Sequence, residues 1–152
     1  MAESLYGDLK PGLPNLVLID GDVIRKVFGD DVGHTLEGRK KNADRICSLC
    51  KFFDTQKIHA ICAVLSIFHE SQEWNRANLT SYFEVFIDTP FERLLDMDGK
   101  GLYKKARAGE IKNVVGVDIP FPAPKRPDLV IRNDGAMEHL LSYKPTLAAL
   151  FD

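Results

Sequence analysis

Leu16-Val-Leu-Ile-Asp-Gly-Asp-Val-Ile-Arg25 changes character at its midpoint. Leu16-Val-Leu-Ile19 is apolar at every position, as a strand buried on both faces of a parallel sheet reads. Asp20-Gly-Asp22 ends it. Val23, Ile24 and Val27 then recur at helical spacing, with Asp22 placed to cap the helix and Arg25 on its first turn. An acidic residue at the carboxyl end of such a strand is where open α/β sheets hold ligands. Asp20 has the chemistry to accept a hydroxyl proton or to hold magnesium, and Arg25 to grip an anion bidentately. A plain strand-to-helix cap is the competing reading.

Outward from this stretch the pattern repeats. Residues 1–15 carry Gly7, Pro11, Gly12 and Pro14, so a helix end and a turn are expected. A Gly- and Asp-rich loop is expected over residues 29–38. A helix follows from Arg39, with Ala43, Ile46, Cys47, Cys50 and Phe53 on one stripe. His59–Leu65 reads as a second buried strand ending at Ser66. A helix over about Ser71–Leu79 comes next, then a third strand, Phe83–Asp88. Thr89-Pro90 opens another helix. Ile119-Pro-Phe-Pro-Ala-Pro124 holds no regular element. Leu129–Ile131 is a fourth strand, and a last helix starts near Ala136, disturbed at Pro145. Strands alternating with helices imply a mostly parallel sheet with helices on both faces, in a single domain over residues 1–152.

The totals narrow the function. A formal net charge of −2 gives no field for nucleic acid. No apolar run is long enough to span a bilayer, and three cysteines without a leader pattern fit a reduced, cytoplasmic protein that binds no membrane. Cys47-Ser-Leu-Cys50 has redox or zinc spacing, but it lies on an apolar stripe without a second ligand pair, so core packing is expected. His34, His59 and His69 share no ligand spacing. Trp74 and Phe83 read as core.

Lys100-Gly-Leu-Tyr-Lys-Lys-Ala-Arg-Ala-Gly-Glu-Ile-Lys112 puts Lys100, Lys104, Lys105, Arg107 and Lys112 on a glycine-punctuated segment. A cationic helix followed by a loop can close over phosphates and neutralise a transferring phosphoryl group; a solvated basic face is the alternative. Arg39 and Asn42 share a helix face as a donor pair for phosphate or sulfate. Ser66, at a strand end, is a hydroxyl within reach of a substrate or an ordinary turn serine.

Leu18-Ile-Asp-Gly-Asp-Val-Ile-Arg25, Gly38-Arg-Lys-Lys-Asn42, Leu65-Ser66, the Lys100–Lys112 run, Gly116-Val-Asp118 and Ala123-Pro124 together resemble the adenylylsulfate kinase family. The resemblance implies a P-loop-kinase-like three-layer sandwich, with residues 100–124 as its lid. It implies transfer of the γ-phosphoryl group of ATP to the 3′-hydroxyl of adenosine 5′-phosphosulfate, with Mg2+, in sulfate assimilation. By position, Asp20 is the catalytic carboxylate and metal ligand, and Ser66 matches the family's phosphoserine position. Asp22, Arg25, His34, Arg39, Asn42, Leu65, Lys100, Asn113 and Val114 fall on the substrate side. Lys104, Arg107 and Ala136 fall on the ATP side.

Two departures qualify this. The family opens with a strand and a Gly-x-x-x-x-Gly-Lys-Ser/Thr loop that cradles the ATP phosphates, and these residues contain neither. Residues 1–15 resemble the end of the helix that follows that loop. A late-starting or truncated product is therefore expected, weakly active or inactive alone, or a pseudokinase that only binds. Such a sheet has an uncovered edge near the Leu16 strand, so a homodimer is expected. Second, His34, Ile67, His69 and Val114 stand where the family carries aromatic, proline or arginine residues. Cys47–Lys51, Ser66–Phe68, Trp74–Asn78 and Asn113–Asp118 are instead similar to an offshoot that modifies bacterial surface (capsule) polysaccharide and includes a cytidine diphosphoramidate kinase. A pyrimidine needs less stacking area than adenine, so the drift fits a changed base.

Overall fold

A computed structural model describes residues 1–99 and 101–151. Helix α1 (Ala2–Leu9) leads to β1 (Leu16–Asp20), α2 (Gly21–Val27) and the long α3 (Leu36–Thr55). Then come β2 (His59–Ala63), α4 (His69–Asn78), β3 (Val85–Asp88), α5 (Phe91–Asp96) and α6 (Leu102–Arg107). The chain finishes with β4 (Leu129–Arg132), α7 (Met137–Leu141), α8 (Lys144–Ala148) and a 3-10 turn at Ala149–Phe151. All strand pairing is parallel and split in two: β1 with β2, in register from Leu16–His59 to Asp20–Ala63, and β3 with β4, from Val85–Leu129 to Asp88–Arg132. Among the described residues no ladder joins the two pairs.

Each pair has its own anchor. Leu16 on β1 and Ile131 on β4 are wholly buried. Two full burials of this kind each contribute on the order of 2 kcal/mol. α1 packs on β1 and β2 and is held to α8, where Lys144 donates to Ser4 Oγ at 2.8 Å and pairs with Asp8. β2 departs from expectation. Its residues are as apolar as those of β1, yet His59 and Cys62 are exposed, as are Val64 and Leu65 just beyond it. It pairs only with β1, so its other edge carries no described partner.

The structure corrects several local expectations. Asp20, not Asp22, caps α2, and Arg25 lies on its second turn. Val23 and Val27 face solvent rather than the core. α3 begins three residues earlier than expected, because Thr35 accepts the Gly38 N–H at 3.1 Å and caps it. Gly38 is helical, not a loop residue: a Cβ there would lie 1.8 Å from the Val32 carbonyl oxygen, so only glycine lets the preceding loop lie this close. Pro145 starts α8 instead of disturbing a longer helix, since proline needs no N–H in a first turn. Trp74 and Phe83 are about two-fifths exposed, rim rather than core.

Candidate functional site

At the carboxyl end of β1 the Asp20 carboxylate is already partly used. Its Oδ1 accepts the backbone N–H of Asp22 at 2.8 Å and of Val23 at 3.0 Å. That fixes the carboxyl plane at the start of α2. Arg25, one helical turn on, is only 7% exposed, and its Nη1 donates to the Gly33 carbonyl. Asn42 on α3 is 5% exposed. Its Nδ2 donates to the Gly21 carbonyl at 3.2 Å, while its Oδ1 has no partner. A buried acceptor left this way costs about 1–3 kcal/mol unless a ligand or water meets it.

Arg39 ties two loops together. Nε donates to the His34 carbonyl at 3.0 Å, and Nη2 to the Asn113 carbonyl at 2.8 Å. Burial and the nearby Arg25 guanidinium lower the Arg39 pKa, and Asp22 and Asp118 offset part of that. The two guanidiniums therefore share one electrostatic neighbourhood. Among the described residues neither makes a salt bridge; both donate only to carbonyls.

The Asn113 carbonyl is set by a tight turn. The Asp118 carboxylate accepts the N–H of Asn113 and of Val114, each at 2.6 Å, with Asn113 at φ 66°. Those two backbone donors hold the Asp118 carboxyl below the usual carboxylate range. The turn is seated by Val115 and Ile119, which pack with Ile67 beside Phe68. Lys40 of α3 lies over the Phe68 ring, 5.8 Å from its centre. Segment 65–68 is thereby fixed next to the turn. Leu65 is exposed there, and Ser66 Oγ accepts from the buried Gln72 Nε2 at 3.1 Å.

The cationic helix α6 stands apart in character. Lys104, Lys105 and Arg107 are exposed, and none forms an ion pair among the described residues. Asp98 receives the N–H of Leu102 at 2.7 Å and of Lys104 at 3.1 Å, fixing where the helix starts. Phe91 of α5 packs edge-on to Tyr103 and lies near Gly116, which sits at a positive φ of 90° that favours glycine. From the same helix Arg93 donates to the Gly135 carbonyl, next to Ala136 at the start of α7.

The structure thus brings Asp20, Asp22, Arg25, His34, Arg39, Asn42 and Asn113 around one corner, with Leu65 and Ser66 alongside. Val114 enters only through its backbone, because its side chain is buried. Lys104 and Arg107 lie on α6 and Ala136 at the start of α7, both next to α5. Lys100 lies outside the described residues. Sequence reading gave no role to Gln72 and none to Asp118 beyond its place in the Gly116-Val-Asp118 motif, yet these two hold the expected site residues Ser66 and Asn113. A cleft of about 320 Å³ between α1, α7 and α8, lined by Leu5, Asp8, Leu141, Lys144, Pro145 and Ala148, contains none of the candidate residues.

For magnesium, the described residues hold no group of three or more His, Cys, Asp or Glu side chains that could coordinate an ion. Asp20 can contribute through the oxygen not used in the cap. A single carboxylate is compatible with this ion, which keeps several waters and takes its remaining ligands from substrate phosphates.

Comparison with known proteins gives the family and the fold. Residues 1–132 match the family described as adenylylsulphate kinase. The chain is 38% identical over 133 residues to the cytidine diphosphoramidate kinase of Campylobacter jejuni, covering 88% of this chain and 77% of that one. It is 34% identical to a probable adenylyl-sulfate kinase of Pseudomonas aeruginosa, covering 87% of this chain but 62% of the relative, so it spans about three fifths of that protein's length. The Mycobacterium tuberculosis APS kinase CysC, solved in complex with AMPPNP and APS, superposes with a TM-score of 0.84 at 29% identity, over 99% of this chain and 88% of that one.

Proposed function

The chain belongs to the adenylylsulphate kinase family, and from that premise we propose that its α2–α3–turn corner binds the acceptor nucleotide of an ATP-dependent phosphoryl transfer. Adenosine 5′-phosphosulfate is the acceptor on the first reading, and its 3′-hydroxyl the group phosphorylated. The observation that carries this is the convergence of Arg25 and Arg39, two guanidiniums without a carboxylate partner, next to the orphaned Asn42 Oδ1. Clustered guanidiniums that make no direct ion pair among the described residues favour an anion, even with Asp22 and Asp118 in their field, and an unpaired buried acceptor favours a ligand hydroxyl or N–H.

In this reading Asp20 sits beside the acceptor hydroxyl and takes its proton, its carboxyl held in orientation by the two α2 N–H groups. Arg25, Arg39 and Asn42 hold the anionic end, with Asn113 and Val114 closing over it from the lid side. Leu65 and Ser66 line the wall. Lys104 and Arg107 face the donor phosphates, and Ala136 the donor base; Lys100, outside the described residues, belongs to the acceptor side by resemblance alone. Magnesium, when bound at Asp20, neutralises charge on the phosphates. Residues 100–124 act as the closing segment within one domain spanning 1–152. The enzyme works in the cytoplasm, and the unpaired β2 edge favours a homodimer.

The cytidine nucleotide reading is favoured by one observation: the 38% identity to a cytidine diphosphoramidate kinase, with His34 on the loop beside Arg39. The two are separated by thermal-shift titration with adenosine 5′-phosphosulfate, cytidine diphosphate and adenosine diphosphate. Stabilisation by the sulfated adenine nucleotide above the others supports the first reading, and stabilisation by the cytidine nucleotide the second. No shift with any of them defeats both. The 152 residues contain no Gly-x-x-x-x-Gly-Lys-Ser/Thr run, and each missing preorganised donor typically costs about 3–4 kcal/mol of transition-state stabilisation. This polypeptide assayed alone is therefore expected to bind acceptor with little or no turnover.

A further inference from the structure

The Cys47-Ser-Leu-Cys50 spacing suggests that these two thiols belong together, and the structure pairs them differently. Cys47 is buried on α3, and burial raises its pKa. Cys50, one turn along, points instead to β2, where its Sγ lies 3.5 Å from Cys62 Sγ. Cys50 is half-buried, Cys62 is exposed, and all three thiols are free. We propose that Cys50 and Cys62 form a reversible disulfide that staples α3 to β2, leaving Cys47 as a thiol.

The geometry needs little change. Bonded sulfurs lie about 2.05 Å apart, so side-chain rotation must close the remaining gap across elements that already touch. The hydrogen bond between the sulfurs favours thiolate at Cys50, whose pKa it lowers, while that of Cys62 is raised. Thiolate is the species that attacks. The oxidant is a small-molecule disulfide such as glutathione disulfide. Thiolate attack on it releases one glutathione thiolate and leaves a mixed disulfide. The second cysteine, losing its proton, attacks the protein sulfur of that bond and expels the second glutathione. Two protein thiols are oxidised and one glutathione disulfide becomes two thiols.

The staple sits where it can be felt. Cys50 is eight residues from Asn42 on the same helix, about 12 Å along its axis. Cys62 precedes the Leu65-Ser66 wall by three residues. Both elements that frame the candidate site are cross-linked just behind it.

The test equilibrates the full chain in graded glutathione and glutathione disulfide, blocks free thiols with N-ethylmaleimide, and maps tryptic peptides by mass spectrometry. Cys47 and Cys50 share the peptide Ile46–Lys51, so fragmentation within it assigns the bond. Expected is a Cys50–Cys62 link that dithiothreitol reverses, with Cys47 alkylated. Its midpoint should lie at least about tenfold lower in glutathione disulfide than glutathionylation of the remaining member of the pair in C62S or C50S, because the second step is intramolecular. C47S should leave the link intact, and C50S and C62S should abolish it. Since the wild-type map decides alone, poor folding of a variant does not blunt the test. A Cys47–Cys50 bond, stable glutathione adducts without an internal bond, or three alkylated thiols at every ratio overturns the proposal.

Discussion

The corner built by α2, α3 and the 113–119 turn and the cationic helix α6 both carry positive charge, but they hold it in opposite ways. In the corner, Arg25 is buried, Arg39 is partly buried, and their donors are committed to the carbonyls of Gly33, His34 and Asn113. On α6, Lys104, Lys105 and Arg107 stand in solvent without described partners. The corner has met the cost of desolvation during folding, so its groups are already oriented when a ligand arrives. The helix keeps its charges exposed and hydrated. The difference predicts that substitutions in the corner affect fold and binding together, whereas those on α6 affect binding alone.

The sharpest way to break the comparison is G38A. The methyl group would overlap the Val32 carbonyl at 1.8 Å, so the loop before α3 must move. A loss of about 3 kcal/mol is expected in urea unfolding, along with loss of any nucleotide-induced stabilisation. Wild-type stability would mean that the loop is not locked to the helix. Next is R25M, which keeps the apolar stem but strands the Gly33 carbonyl. We expect a cost of about 2 kcal/mol and no thermal shift with any nucleotide. Unchanged nucleotide binding would remove Arg25 from the anion site.

Acid then tests the turn. The Asp118 pKa is depressed in the fold, so its contribution is present above the ordinary carboxylate value, about 3.9, and is lost as pH falls through the lowered folded value. The protection of the Asn113 and Val114 amides against hydrogen exchange, taken relative to the intrinsic rate at each pH, should fall over that window. In D118N it should already be low at neutral pH, and equal protection in the two proteins would deny Asp118 its role. The smallest stability effect belongs to α6. K104A combined with R107A should unfold within about 0.5 kcal/mol of wild type while abolishing salt-sensitive ATP binding in calorimetry. Destabilisation beyond that would show that the helix is packed rather than poised.

Much of this was readable in the chain. The apolar run ending in Asp20, and the spacing of Arg39 and Asn42, placed the corner because each depends on local periodicity. What escaped reading depends on contacts far along the chain. Gly38 looked like a flexible loop residue, although the approach of Val32 is what requires it. Asp118 stands in the Gly116-Val-Asp118 motif without a role until the turn returns the Asn113 and Val114 N–H groups to it. Cys62 is 12 residues from Cys50, farther than the Cys-x-x-Cys spacing that draws the eye. Nothing in His59-Ala-Ile-Cys-Ala63 says that one edge finds no partner among the described residues; that is a fact about neighbours, not about its composition.

Arg39 has one more consequence. Its single guanidinium is tethered at once to the loop before α3 and to the turn after α6, 74 residues apart for the longer tether. An anion that recruits this side chain must compete with both carbonyls, and whatever loosens one tether weakens the grip on the other. Two segments that never touch in the sequence are thus made to sense occupancy jointly, through a fork only a few ångströms wide.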